Sequence, residues 1–129
     1  MIGSNAFNYI NVLDKAADAS WKRNEIINNN IANVNTPGYK RKDIQFESYL
    51  MTALVGNNSL DKRIAEVDLH SLEASIYTDN ANLSYRLDGN NVDIDTENAN
   101  LAENQIRYYA LLDSMTQEFS RLKSVLTAR

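Results

Sequence analysis

The chain's only proline, Pro37, is followed by a glycine and preceded by a long helical pattern. Pro37 presets φ for the second position of a turn, and Gly38 supplies the positive φ that the next position of a type II turn requires. Thr36, ahead of the proline, is pushed out of the helical region. A helix arriving from the N-terminus therefore stops near Val34 or Asn35. The chain then leaves in a new direction, basic at Lys40, Arg41 and Lys42 and apolar again from Ile44.

Ahead of that stop, apolar residues follow a heptad. One track is Ile10, Ala17, Asn24 and Ile31, and the other is Leu13, Ser20, Ile27 and Val34. Spacings that alternate between three and four mark a coiled-coil seam. Ser20 and Asn24 interrupt it. They either fix the register from a buried position, at a cost in stability, or face solvent or a polar group of a partner. A helix from Ser4 to Val34 spans roughly 45 Å. From Leu101 the pattern returns, with Leu101, Tyr108, Met115 and Leu122 on one track and Gln105, Leu112, Phe119 and Leu126 on the other. Glu118 lies outside this seam. Neither helix is stable alone in water. The economical fold is mainly α, with long N- and C-terminal helices pairing as an antiparallel coiled coil.

Between the helices the signals are weaker. Phe46, Tyr49, Leu50, Ala53 and Leu54 form one apolar face. They predict a short third helix over 44–55, with Asp43 as N-cap and Gly56 as the stop. Ala65, Val67 and Leu69 alternate with polar residues, as do Leu83, Tyr85 and Leu87, so this middle segment reads as irregular or as a β-hairpin. Asp88-Gly89-Asn90-Asn91 is a turn, and Asp93, Asp95 and Thr96 are candidate caps for the last helix. The expected organisation is a single core domain. It comprises an N-terminal helix over 1–35, then turn, extended segment and short helix over 36–56, the irregular or hairpin segment over 57–95, and a C-terminal helix over 96–129.

Composition excludes more than it selects. The chain has 129 residues and no cysteine, so thiolate metal sites and disulfides are ruled out. A formal charge of −4 gives no basic field for nucleic acid. No apolar run approaches the roughly 18 residues of a membrane span. The N-terminal residues lack the basic and apolar regions of a secretory signal peptide, so a protein working outside the cytoplasm would need another exit. His70 is the only histidine and has no nucleophile beside it in the sequence. Asp93, Asp95 and Glu97 begin like a calcium loop, but Asn98 stands where that loop needs glycine. No Gly-rich phosphate loop occurs. The expectation is a protein with no enzymatic activity, cofactor or metal. Lys40, Arg41 and Lys42 are read as a solvated strand or a subunit salt bridge.

The segment Asn30-Ile31-Ala32-Asn33-Val34-Asn35-Thr36-Pro37-Gly38-Tyr39 resembles the N-terminal signature of the bacterial flagellar axial proteins, the rod, hook and hook-associated proteins. The stretch from Leu87 to Asp93, and Leu101-Ala102-Glu103-Asn104-Gln105 after it, is similar to the C-terminal motif of the rod proteins. The likeness covers nearly the whole chain, residues 57–82 apart. The short chain argues against a hook protein, which carries large inserted domains. The resemblance implies a structural subunit of the proximal rod, self-assembling as a helical homo-oligomer. It implies a drive shaft that transmits torque and joins the membrane ring and export gate to the distal rod. It also implies the adapter protein FliE, the rod proteins FlgC and FlgF and the flagellar type III export apparatus as partners. The location implied is the periplasmic rod of the basal body, reached without a cleaved signal peptide. Asn30, Ile31, Ala32, Asn33, Asn35, Thr36, Pro37, Gly38 and Tyr39 would be the assembly motif, its amides serving helix-end carbonyls and groups across subunits. The alternative from another class is a soluble coiled-coil adaptor unrelated to flagella.

Overall fold

The computed structural model describes residues 2–82 and 86–128, with side chains from Phe7 onward. The elements in order are α1 (Ile2–Ala32), β1 (Lys42–Gln45), α2 (Glu47–Leu54), α3 (Leu60–Glu66), β2 (Ser75–Thr78) and α4 (Ile94–Thr127). The protein is mainly helical, and α1 and α4 pack along each other. They run antiparallel. Asn30 meets Glu97, and Ser20 meets Asn104, so one sequence rises as the other falls. At 1.5 Å per residue the two helices measure roughly 46 and 51 Å. Among the described residues no helix is long and apolar enough to cross a membrane.

On α1 the heptad positions are the covered ones. Ile10, Ala17, Ser20 and Ile27 are buried, while Leu13, Asn24, Ile31 and Val34 are partly so. At the polar interruption Asn104 Nδ2 donates to the backbone carbonyl of Ser20 at 2.8 Å, a bond that does not use the serine hydroxyl. That bond sets one helix against the other at a fixed register.

On α4 the structure corrects half of the predicted seam. Leu101, Tyr108, Met115 and Leu122 are partly buried, but the second track is displaced by one residue. Asn104, Leu111 and Glu118 turn inward instead of Gln105, Leu112 and Phe119, and at the end of the track Leu126 and its neighbour Val125 are both exposed. Phe119 is 51 % and Leu126 75 % exposed, and Leu112 is also exposed. The reason is polar pairing. Asn104 turns in to serve the carbonyl of Ser20, and Glu118, beside Tyr9 and Arg121, follows two heptads later. The apolar residues one position on are left as an outward stripe. Phe119→Ala should therefore change stability by only about 0.5 kcal/mol. Ile27→Ala, at a fully covered site, should cost about 2–5 kcal/mol. Equilibrium urea unfolding followed by circular dichroism compares the two. A larger loss for Phe119→Ala would reinstate the predicted seam.

α1 has a second covered face. Ala19 lies with Ile44, Phe46 and Leu72 in a small core, and Ala16, Ile26, Leu50, Val67 and Leu69 pack around it. This core explains why the middle differs from expectation. Residues 42–45 are a strand because Ile44 is pressed against α1 and the backbone pairs antiparallel with Ser75–Thr78, Lys42 opposite Thr78. The short helix consequently starts at Glu47, and Asp43 is no cap. Its carboxylate faces Arg23 at 3.4 Å and Arg41 at 3.3 Å. Ala65 belongs to a helix, not a hairpin strand. Ser59 caps α3 by accepting from Lys62 N at 3.4 Å, and Ile64 is buried. The second predicted strand falls mostly on residues 83–85, outside the described residues, and Leu87 is exposed.

Candidate functional site

At one end of the bundle the two sequence motifs meet. The last carbonyls of a helix have no partner within it. Just past the end of α1 at Ala32 the chain turns, and there one side chain reaches three carbonyls. Asn90 Nδ2 donates to the carbonyls of Asn33 at 2.8 Å, Val34 at 3.1 Å and Thr36 at 2.9 Å. Asn90 is held in place by its own loop, its Oδ1 accepting from Val92 N at 2.7 Å. Arg86 adds a donor to Val34 O at 2.8 Å and pairs with Asp88 at 2.9 Å.

The two turns interlock through backbone as well. Tyr39 N donates to Thr36 O at 3.2 Å, and Gly38 has φ 73°, which completes the type II turn. Gly38 N donates across to Asp88 O at 2.8 Å, and Asn91 N to Tyr39 O at 3.3 Å. Gly89, φ 78°, lies against Gly38: a Cβ on Gly89 would stand 3.7 Å from Gly38 Cα.

Beneath the turns is a buried polar layer. Asn30 is fully covered and uses its whole amide within the chain. Its Nδ2 donates to Lys42 O at 2.8 Å and Glu97 Oε2 at 3.3 Å, and its Oδ1 accepts from Lys42 N at 3.0 Å and the Tyr39 hydroxyl at 3.1 Å. Glu97 is also fully buried, and Arg41 Nε donates to it at 2.5 Å. Burial alone would pull the Arg41 guanidinium down. Its hydrogen bond to Glu97, with the charges of Glu97 and Asp43, outweighs burial and raises it. Burial, with Glu97 nearby, raises the Tyr39 hydroxyl. Asn91 ties in the loop before residue 83. Its Oδ1 accepts from Arg41 N at 2.7 Å, and its Nδ2 donates to Asp79 O at 2.6 Å and Ala81 O at 2.9 Å. At the start of α4, Asp93 is the cap of the three candidates, accepting from Asp95 N at 3.1 Å and Thr96 N at 3.4 Å.

A second ionic group fastens α2 to both long helices. Arg23 holds Glu47 through both of its terminal nitrogens and donates to Ile44 O at 3.0 Å, and Arg107 reaches the same carboxylate at 2.8 Å. The hydrogen bonds from Arg23 hold the Glu47 carboxyl down at about 2. A depressed carboxylate stabilises the fold above its unfolded value near 4.5, and that share is lost as pH falls toward 2. Glu47→Gln should therefore flatten the acid limb of the stability curve between those values. The effect should be modest, because the Glu47 side chain is half exposed. Urea midpoints measured from neutral pH to pH 2.5 would check this, and an unchanged acid limb would contradict it.

The predicted motif residues thus divide. Asn30 faces inward and is spent within the chain, which corrects its reading as a cross-subunit group. Ile31, Asn33 and Tyr39 are partly covered, and Asn33 folds back on Asn29 O at 2.7 Å. Ala32, Asn35, Thr36, Pro37 and Gly38 face outward. Arg41, read as part of a solvated strand or a subunit salt bridge, is covered and paired with three carboxylates of its own chain. Sequence reading missed Arg41, Asn90, Asn91 and Glu97 as site residues. The signal available for two of them was the Asp-Gly-Asn-Asn turn. His70 is exposed in a turn, with its backbone N bonded to Asp68. The arrangement converges no nucleophile and base. What it can do is hold the end of α1, the outgoing strand and the start of α4 in one rigid relation.

Comparison with known proteins agrees with this pairing of motifs. Residues 10–40 match the family described as flagella basal body rod protein. The flagellar basal body rod protein FlgB of Bacillus subtilis is 35% identical over 116 residues, covering 89% of this chain and 90% of that protein. FlgB of Salmonella typhimurium is 33% identical over 121 residues, and that of Escherichia coli 31% over 121, each covering 87% of this chain and 88% of the relative.

Proposed function

The chain belongs to the FlgB family of flagellar basal-body rod proteins, a structural and non-enzymatic subunit of the rod; from that premise we propose how it serves there. Copies assemble by a repeated heterologous contact into a helical tube, the proximal part of the drive shaft, which transmits torque. The subunit reaches the periplasmic rod through the flagellar type III apparatus without a cleaved signal peptide. Its neighbours are further copies, the adapter protein FliE on the side of the membrane ring and export gate, and the rod proteins FlgC and FlgF.

The observation that carries this reading is the division of labour in the structure. Inward-facing groups are consumed by the clamp of Asn30, Arg41, Asn90 and Glu97, so the two ends of the chain form one stiff unit. Outward, α4 keeps an apolar stripe of Ile106, Tyr109, Leu112, Phe119 and Leu126. Such a stripe is uneconomical on a free monomer and natural between subunits. At the end of the bundle where α4 begins, the assembly motif presents Ala32, Asn35, Thr36, Pro37 and Gly38. Leu112, Phe119 and Leu126 are thereby assigned to contacts between subunits rather than to the contact of α1 with α4.

Gly38 tests the motif. A side chain here has free space, but φ of +73° is where β-branched residues are strained, at about 1–3 kcal/mol. Gly38→Val should leave an exported protein that fails to enter the rod and a strain that does not swim. Basal bodies purified from a strain carrying only this variant should lack the chain, while those of the wild type contain it uncleaved. Normal swimming of the variant strain would remove the turn from the assembly account. Absence of the intact wild-type chain from basal bodies would favour the soluble adaptor.

A further inference from the structure

Further along the bundle the groove between α1 and α4 opens into a cleft of about 190 Å³, lined by Trp21, Asn24, Asn104, Gln105, Tyr108 and Tyr109. Its walls are aromatic. The Trp21 and Tyr108 rings are 5.7 Å apart, and Tyr109 stands edge-on to Tyr108 at 6.0 Å. Trp21 and Tyr109 are more than half exposed.

Two lining residues carry buried acceptors that nothing satisfies, Asn24 Oδ1 and Asn104 Oδ1. Asn104 is only 2 % exposed, and its amide cannot be reversed. Its Nδ2 donates to Ser20 O, and exchanging the two atoms would set oxygen against oxygen. Buried polar groups in folded proteins are normally paired, so two orphans on one cleft call for a donor. No cation lines the cleft. Ring faces and amide oxygens together are complementary to a positively charged donor. A guanidinium fits best, because it stacks on rings and carries donors only. The chain's formal charge of −4 favours a basic visitor. The flanking Ile106 and Leu112 are exposed, which suits a visitor on a helix with apolar neighbours.

Among the described residues a second copy has no arginine to spare for this cleft. Each arginine among the described residues already has a partner in its own chain. Arg23, Arg41, Arg86, Arg107 and Arg121 pair with carboxylates, and Arg63 donates to Ala53 O and Val55 O. We propose that this cleft is the receptor for one arginine side chain, presented on an amphipathic helix of a different protein in the basal body. The proposal rests on the rod reading and adds to it the chemistry of one partner.

Trp21 is the only tryptophan, so its emission reports the cleft directly. The full-length protein would be titrated with two designed amphipathic helical peptides, identical except for arginine or norleucine at the centre of the apolar face. The arginine peptide should change Trp21 emission and bind about tenfold tighter, the size of one cation–π contact. Tyr109→Ala, at an exposed position that leaves the fold intact by circular dichroism, should abolish the preference. Asn24→Leu should reduce it. Equal binding of both peptides, or a preference that survives Tyr109→Ala, overturns the proposal. So does a Trp21 change on concentrating the protein alone that blocks the peptide, since a second copy would then fill the cleft. Failure in these titrations leaves the chain's presence in basal bodies untouched. Absence from basal bodies would instead strike at the rod reading, whatever the peptides do.

Discussion

Arg41→Met should destabilise the protein by about 3–5 kcal/mol at neutral pH, because it strands a charge in the interior. Glu97 is fully buried, and Arg41 is its only cationic partner among the described residues. Without Arg41 the carboxylate keeps one amide contact, Asn30 Nδ2 at 3.3 Å, too little to replace its hydration. The loss should not be additive. Replacing both residues, Arg41→Met with Glu97→Met, removes the orphaned charge along with the pair. The double variant should therefore be more stable than Arg41→Met alone, with a coupling of at least about 2 kcal/mol. Urea unfolding of the four proteins of the cycle measures it. Motility then separates stability from geometry. If the pair acts only by stabilising the clamp, the double variant swims. If Arg41 also orients the strand through Asp43 and Asp79, at 3.3 and 3.2 Å, the double variant is folded and non-motile. Additive losses would mean that Glu97 finds another partner, and the clamp as described would be wrong.

The limits of sequence reading follow from the same residues. The turn at Pro37-Gly38 was legible because its constraint is local: a ring that fixes φ and a residue that tolerates positive φ. The two long helices were legible because three- and four-residue spacings persist over many turns. The second track of α4 was misread for a related reason. Hydrophobicity marks which residues leave water, but not whether they leave it against α1 or against another subunit. Phe119 and Leu126 are apolar like Met115 and Leu122, yet the inward place beside Phe119 goes to Glu118, and Val125 beside Leu126 is itself exposed. The clamp was largely illegible. Arg41 and Glu97 are 56 residues apart, and no local pattern announces that pairing. Lys42–Gln45 has too little alternation to read as a strand, and its partner strand Ser75–Thr78 falls between the two stretches that read as hairpin strands. Asn30 was singled out only through the likeness to axial proteins, and Asn90 stood in a recognisable turn without being marked as a site residue. That likeness points to the residues without saying that one asparagine is spent inside its own chain.

Asn90→Asp should be the most damaging isosteric change in the chain, and its damage should depend on pH. The amide of Asn90 faces three carbonyl oxygens at 2.8–3.1 Å, all at the end of α1. A carboxylate in its place has no proton to give. It meets the carbonyls as an acceptor, and its charge is buried against their negative ends. Losing the donor leaves the carbonyls of Asn33, Val34 and Thr36 underserved, each costing about 1–3 kcal/mol if no other donor reaches it. Each carbonyl keeps one other donor, Thr36 N on Asn33 O at 3.0 Å, Arg86 on Val34 O at 2.8 Å and Tyr39 N on Thr36 O at 3.2 Å, so the buried charge carries most of the loss. A total above about 3 kcal/mol at pH 7 is expected. Acid should relieve part of it, with the following sign. Burial and facing oxygens raise the new carboxyl's pKa in the folded state above its unfolded value near 3.9. The folded form then binds more protons in the window between the two values, so stability rises as pH falls through it. Below that window the protonated acid donates one hydrogen bond again. The gap between wild type and Asn90→Asp should therefore narrow from pH 7 to pH 4, measured by urea midpoints at each pH. Asn90→Ala, with no titrating group, should show a loss that acid does not repair. If the gap stays constant for Asn90→Asp as well, the side chain at position 90 does not face the end of α1, and the join between the two motifs is misassigned.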